Sequence, residues 1–356
     1  MNRFTKLMVL VGITSLLTTS SYAEKKVKWK LAMTWPSTLA PLATTAQKLA
    51  KLLEEMSGGN FTIEVHGKEK HKAALAILDM VKNKQYEMGH TSSYYYKGKS
   101  MSTALITTTP FGMTSNEQYA WYYYGGGEAL TKKVYDPFKV DCYPGGNTGV
   151  QMGGWFRKEI NSLADLNGLK MRIPGMAGEV FAKLGVNVTN IPAGELYTAL
   201  DRGTIDALEW VGPGMDMKMG FHKVAPYYYT GWHEPASEMH FFVNQRAFAK
   251  LSKEYQEMLK TAMRAVAADM GYENFAMNVD AWEQIQKDYP NIKIKTFPKE
   301  VLKAMKKATD EVMSEYAKQD KLFDEVYTSQ MNYMKKARVW TKISEYDYIT
   351  TTEQVK

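Results

Sequence analysis

Apolar and polar positions alternate over residues 27–33, and from residue 39 the apolar positions recur at helical spacing as far as Met56, where Ser57-Gly58-Gly59 stops them. A period of two marks a strand and spacings of three and four mark a helix. The chain therefore opens with a strand and a helix, and a second strand is read at 61–65. Short strands and helices continue to alternate through 88–91, 116–135, 149–156, 169–173, 195–201 and 205–210, which implies a mostly parallel sheet wrapped by helices. At Ser252 the pattern changes to one helical stretch reaching about Tyr289, with Tyr255, Leu259, Ala262 and Val266 on one face. It is long enough to bridge two domains. After a short strand at 292–296, the residues Val301, Met305, Ala308, Val312 and Tyr316 mark another helix, and Phe323, Tyr327 and Met334 extend its register. Unbroken, its ~34 residues would span ~50 Å, more than a small domain, and a second copy of the chain would have to cover part of it. A turn at 320–324 would instead fold two or three shorter helices back on the body.

The first 23 residues have a short basic start (Arg3, Lys6), an apolar stretch over 7–17 and a small-residue end at Ala23. That is the build of a secretory signal peptide, and the apolar stretch falls short of the roughly 20 residues a membrane-spanning helix needs. The expected destination is the periplasm. Removing the segment lowers the formal charge from +7 to about +5, with the lysines scattered, so nucleic acid is not an expected partner. Cys142 is the sole cysteine, and it reads as a small buried apolar group in a chain with ample core.

Candidate chemistry gathers at three strand ends. Gln151-Met152-Gly153-Gly154-Trp155-Phe156, Lys170-Met171-Arg172-Ile173-Pro174-Gly175 and Ala207-Leu208-Glu209-Trp210-Val211-Gly212-Pro213 each join a short apolar run to a polar group beside Gly or Pro. Open α/β sheets place their ligands at such ends. An amide, a guanidinium and a carboxylate are thus offered to one cleft, a set suited to a small organic acid held with a hard cation.

These segments, together with 89–95, 123–127 and Gly231-Trp232-His233-Glu234-Pro235, resemble the periplasmic binding proteins of TRAP transporters, the DctP-type family, and within it the branch that binds 2-oxo acids and lactate. The resemblance implies a two-domain α/β periplasmic-binding-protein fold, type II-like, with a ligand cleft, crossing strands and a long connecting helix. It puts domain I at 24–149 plus about 238–277, domain II at 150–237 plus about 278–318, and a C-terminal helical extension at 319–356. It also implies delivery of a small carboxylate to integral-membrane permease subunits, with no catalysis. By the same resemblance Arg172 pairs with the ligand carboxylate, so that Arg172→Ala should abolish binding and leave the fold. A Na⁺ or Ca²⁺ ion is held by Gln151, Glu209, the Trp210 carbonyl and Glu234. Tyr94 or Tyr95, Asn147, Gln151 and Trp210 complete the ligand contacts, while Tyr96 is assigned to packing and His233 is not needed.

The chain departs from its relatives at His66-Gly67-Lys68-Glu69-Lys70-His71-Lys72, where the added charge would either favour a second negative group on the ligand or form a solvated turn. A zinc protease site at His66, Glu69 and His71 is excluded by spacing, since residues five apart lie about 140° apart on a helix. No G-x-S-x-G elbow occurs. A periplasmic enzyme acting on 2-oxo acids would lack an evident proton donor.

Overall fold

A computed structural model describes residues 26–355; the segment read as a signal peptide lies outside them. Eleven strands run in chain order among these residues: β1 (Val27–Met33), β2 (Phe61–His66), β3 (Met88–Ser92), β4 (Val140–Asn147), β5 (Gly154–Phe156), β6 (Lys170–Arg172), β7 (Asn187–Thr189), β8 (Ala207–Leu208), β9 (Tyr227–Tyr229), β10 (Glu238–Asn244) and β11 (Lys293–Lys295). They form two sheets, ordered β2-β1-β3-β10-β4 and β11-β9-β5-β8-β6-β7. Helices cover both, giving the expected two-lobed α/β architecture.

The sheets are mixed, where a mostly parallel one was expected. β10 runs antiparallel to both β3 and β4, and β5 antiparallel to both β8 and β9. The reason is the double crossing: the chain leaves the first sheet after β4 and re-enters it at β10, so the returning strand is inserted against its neighbours' direction. β10 is buried at all seven positions, as a central strand covered on both faces must be. Its pairing with β4 shifts at a bulge between Met239 and His240, close to the crossing, where bulges commonly redirect a strand.

The helix Lys253–Asp288 buries Tyr255, Leu259, Ala262 and Val266, the stripe the sequence presents. It packs on β4 of the first sheet and on the helix Pro213–Met219 beside the second, so it does bridge the lobes. The helix expected at 116–135 is two helices, Ser115–Tyr124 and Gly127–Tyr135. The break falls at Gly126, whose φ of 90° is a left-handed conformation open to glycine at little cost.

The C-terminal register is also broken. Asp320 is extended, and its carboxylate accepts from Leu322 N–H at 2.8 Å and Phe323 N–H at 3.3 Å. It thereby caps a new helix, Lys321–Thr341, after Lys299–Gln319 has ended. The first helix packs on Gly175–Lys183 of the second lobe, and the next returns over helices Ser102–Thr107, Ser115–Tyr124 and Gly127–Tyr135 of the first. Glu117 ties it down through Arg338 and Thr341. Beyond Thr341 the chain stays helical to Glu353 with no buried residue.

Candidate functional site

Parallel pairing of β6 with β8 aligns Arg172 with Leu208, so the C-terminal ends of both strands open on the same edge. Arg172 and the residue after Leu208, Glu209, are each only 1% exposed. One guanidinium nitrogen, Nη1, donates to the Glu209 carbonyl at 2.6 Å and to its carboxylate. Burial works against the arginine's charge, but Glu209 beside it raises the pKa above the ordinary value. The remaining guanidinium donors, Nε and Nη2, meet no acceptor among the described residues. Trp210 lays its ring 5.2 Å from the guanidinium carbon.

The crossing segments complete the site. Gln151 lies between β4 and β5, and its N–H donates to the Glu234 carbonyl at 2.9 Å. Glu234 lies between β9 and β10. A Cβ on Gly231 would stand 1.8 Å from the Gln151 carbonyl oxygen, so only glycine lets the two crossings approach this closely. The Gln151 side chain donates to Thr148 Oγ1 at 2.9 Å, while its Oε1 is buried without a donor. Glu234 is buried, with Oε2 likewise unpartnered. Burial, reinforced by the charge of Glu209, pushes its carboxyl up to about 7.

Glu209, Glu234 and His233 each bring a ligand atom to within 4.8 Å of the others. His233 had been set aside from sequence; its Nε2 is 3.3 Å from Glu209 Oε2, which makes it a partner of that carboxylate. The oxygen donors fit a hard cation. Two carboxylates and an amide oxygen, two of these atoms buried without a donor, are the groups Ca²⁺ or Na⁺ takes, whereas zinc would want more imidazole or thiolate.

Aromatic residues wall the site. Tyr94 and Tyr95 meet edge to face with ring centres 4.7 Å apart, and the Tyr94 ring stands over Gly175, just beyond β6. Burial raises the pKa of both phenols. Next in weight, the charge of Glu234 raises Tyr94 further, while that of Arg172 lowers Tyr95. Both phenols therefore feel the charges of Arg172, Glu209 and Glu234. Tyr96 lies in packing, its hydroxyl 2.9 Å from Thr91 Oγ1. Trp232 adds a wall against Phe181 and Phe111, at 5.1 and 5.6 Å. In the sequence Trp232 stands out only as part of the 231–235 motif.

Asn147 is placed differently from the expectation. Its amide donates to Gln118 and to Glu238, both at 3.0 Å, and its oxygen accepts from Gly149 N–H at 2.9 Å. With its donors and oxygen so engaged, it braces the crossing rather than presenting them to the cleft. The Lys68 to Lys72 segment contains a short helix, Lys68–His71, and the end of the Lys68 side chain lies over Gly194 of the opposite lobe. His66 and His71 are spent elsewhere, on Tyr86 and Glu64 and on the Met33 carbonyl. Cys142 is buried and free, with burial pushing its thiol well up.

No helix among the described residues is long and apolar enough to cross a membrane. The sequence pattern of the family described as bacterial extracellular solute-binding protein, family 7 (DctP), matches residues 31–320. A monocarboxylate 2-oxoacid-binding periplasmic protein of Nostoc sp. is 42% identical over 341 residues, covering 95% of this chain and 93% of its own. Among solved structures, a TRAP periplasmic solute-binding protein of Colwellia psychrerythraea, with bound calcium and pyruvate, superposes with a TM-score of 0.91 at 52% identity, over 92% of this chain and 100% of that one. One from Pseudoalteromonas atlantica, with bound sodium and pyruvate, has the same TM-score of 0.91 and 52% identity, over 92% and 99%.

Proposed function

The chain belongs to the bacterial extracellular solute-binding proteins of family 7, and on that premise we propose that it captures a small 2-oxo monocarboxylate, pyruvate or a close relative, with a bound Ca²⁺ or Na⁺ ion. As a family member it is a binding subunit of a transporter and not an enzyme. The observation that carries the ligand reading is Arg172. Its Nη1 is committed to Glu209, and the Nε and Nη2 edge lies buried and unpartnered. Those two N–H groups form a side-on fork matched to the two oxygens of a carboxylate. The proteins from Colwellia and Pseudoalteromonas were solved with pyruvate, in keeping with a one-carboxylate site.

Gln151, Glu209, Glu234 and the Trp210 carbonyl would hold the cation, which when bound adds positive charge for the ligand's oxygens. Trp210, Tyr94 and Tyr95 enclose the ligand and exclude water, and Asn147 acts from the crossing. Tyr94 and Tyr95 belong to the proposed domain I (24–149 and about 238–277), Arg172 and Glu209 to domain II (150–237 and about 278–318). Closing the lobes therefore brings the contacts together, and ligand favours the closed form. That form is the one presented to the permease subunits. Export through the N-terminal signal segment puts the mature chain in the periplasm.

A homodimer is the further partner proposed. The unbroken C-terminal helix that first motivated it is absent, but Val339, Trp340, Ile343 and Tyr346 are 63–68% exposed at the end of the chain. A second copy would cover them.

A thermal-shift panel of residues 24–356 with pyruvate, longer 2-oxo acids, lactate and dicarboxylates tests the ligand class. A ligand at 100 times its dissociation constant stabilises by about 2.7 kcal/mol. Shifts with 2-oxo monocarboxylates support the reading. Shifts with dicarboxylates alone reject it and assign Lys68 to a second carboxylate.

A further inference from the structure

Asp216 lies in the helix Pro213–Met219, fully buried, and among the described residues its carboxylate takes four neutral donors and no cationic side chain. Oδ1 accepts the N–H groups of two successive residues, Val211 at 3.0 Å and Gly212 at 3.1 Å. Oδ2 accepts Trp155 Nε1 at 3.0 Å and the Tyr228 hydroxyl at 2.9 Å. These last two rings stack at 3.9 Å on β5 and β9, so one end of the carboxylate is fixed to the sheet and the other grips the segment after β8.

That segment carries Glu209 and Trp210. The Val211 N–H and the Trp210 carbonyl belong to one planar trans peptide and point in opposite directions. Holding the N–H toward Asp216 therefore turns the Trp210 carbonyl away from it, and that carbonyl accepts no backbone hydrogen bond among the described residues. The same segment is fixed at its other side by Met152 N–H, which donates to the Val211 carbonyl at 2.9 Å, and by Glu209 N–H, which donates to the Arg172 carbonyl at 3.2 Å.

We propose that Asp216 is a positioning residue for the cation, aiming the Trp210 carbonyl and setting the start of the Glu209 side chain without touching the ion. The inference rests on the cation reading above. Sequence inspection passed over Asp216 because an acid inside a helix, four residues after Gly212, resembles any surface acid.

The test is calorimetric titration of Ca²⁺ into the protein saturated with pyruvate in sodium-free buffer, followed by titration of pyruvate at saturating Ca²⁺. Asp216→Asn keeps the size but presents an N–H₂ group to donors. Loss of a group that orients metal ligands weakens metal binding by about 10–100-fold, so Ca²⁺ affinity should fall by about that factor while pyruvate affinity at saturating Ca²⁺ is retained. A folded variant with unchanged Ca²⁺ affinity overturns the proposal. So does an equal loss of pyruvate affinity that excess Ca²⁺ does not restore, which would mark a general structural role. Tyr228→Phe removes one donor from Oδ2 and should give a smaller loss in the same direction, and no loss would count against the assignment even if Asp216→Asn does not fold. Wild-type protein that binds pyruvate equally without cation rejects the cation reading itself, before any variant is made.

Discussion

Arg172 donates through a single nitrogen to both the main-chain carbonyl and the carboxylate of Glu209, tying the ends of β6 and β8 together while leaving one edge of the guanidinium open. The proposed ligand role and the structural role of this arginine therefore use different atoms. That changes the expectation for its removal. Arg172→Ala strands a buried carboxylate, and breaking a buried pair costs about 3–5 kcal/mol, so the variant should lose stability as well as binding. Arg172→Lys separates the two, because it keeps the charge but not the fork. It should fold and bind pyruvate about 10–100-fold more weakly, the loss of one or two charge-assisted bonds. Denaturant melts and calorimetry on both variants check this.

Lys97, two residues beyond Tyr95, reaches from the first lobe to the Gly175 carbonyl at 3.2 Å and to Glu179 on the opposite lobe. Tyr316 donates to the other oxygen of Glu179 at 3.1 Å. This pair is partly exposed, so its worth is about 1 kcal/mol or less. Lys97→Met should weaken ligand binding by up to about fivefold, mainly through faster release, and shift the free protein toward a more open form in small-angle scattering. Unchanged release kinetics would remove Lys97 from the closure.

Glu238 braces the crossing, accepting from the N–H groups of Gly145 and Gly146 at 3.0 and 3.1 Å and from Asn147. Burial pushes its carboxyl from 4.5 up to about 7. The sign follows from linkage: between those values the unfolded chain has released its proton while the folded chain retains it, so stability from this group falls as pH rises through that window and levels off above it. Glu238→Gln cannot titrate. Its melting temperature relative to wild type should rise from pH 4.5 to pH 7, read by calorimetry across that range. A constant difference would contradict the assignment.

The end of the chain gives a fourth prediction. Residues 342–355 include no fully buried residue and touch the body through an exposed hydrogen bond from Asn116 to Glu345 at 3.3 Å, whereas Arg338 and Thr341 anchor the preceding helix to Glu117. Deleting residues 342–356 should leave the melting temperature of the ligand-bound protein within a few degrees and convert a dimer to a monomer in light scattering at micromolar concentration. A full-length chain that is already monomeric there would end the dimer proposal.

The two-lobed α/β frame and the bridging helix were legible because their burial stripes are long: Tyr255 to Val266 repeats over several turns. The details at the crossing were not. The strand read at 149–156 shrinks to Gly154–Phe156 because the N–H groups of Gln151, Met152 and Gly153 are drawn to the carbonyls of Glu234, Val211 and Tyr229, partners distant in sequence. The break at Asp320 was readable as an N-cap, but its neighbours continue the apolar register on both sides. At the site, Arg172, Glu209, Glu234 and Gln151 stand together in space, and their proposed roles rest on the resemblance. His233 and Asp216 were missed because each acts through a partner distant in sequence, Glu209 at 24 positions from His233 and Trp155 at 61 positions from Asp216, that only folding brings close.

The central claim is that a buried arginine fork and an oxygen-lined cation site together hold one small carboxylate. Calorimetric titration of pyruvate into residues 24–356, in sodium-free buffer after chelation and again with Ca²⁺ restored, tests it most directly. The account predicts binding with one ligand per chain in Ca²⁺ and a loss of at least tenfold in affinity without it, about 1.4 kcal/mol or more. Equal affinity in both buffers, or no binding in either, would contradict it.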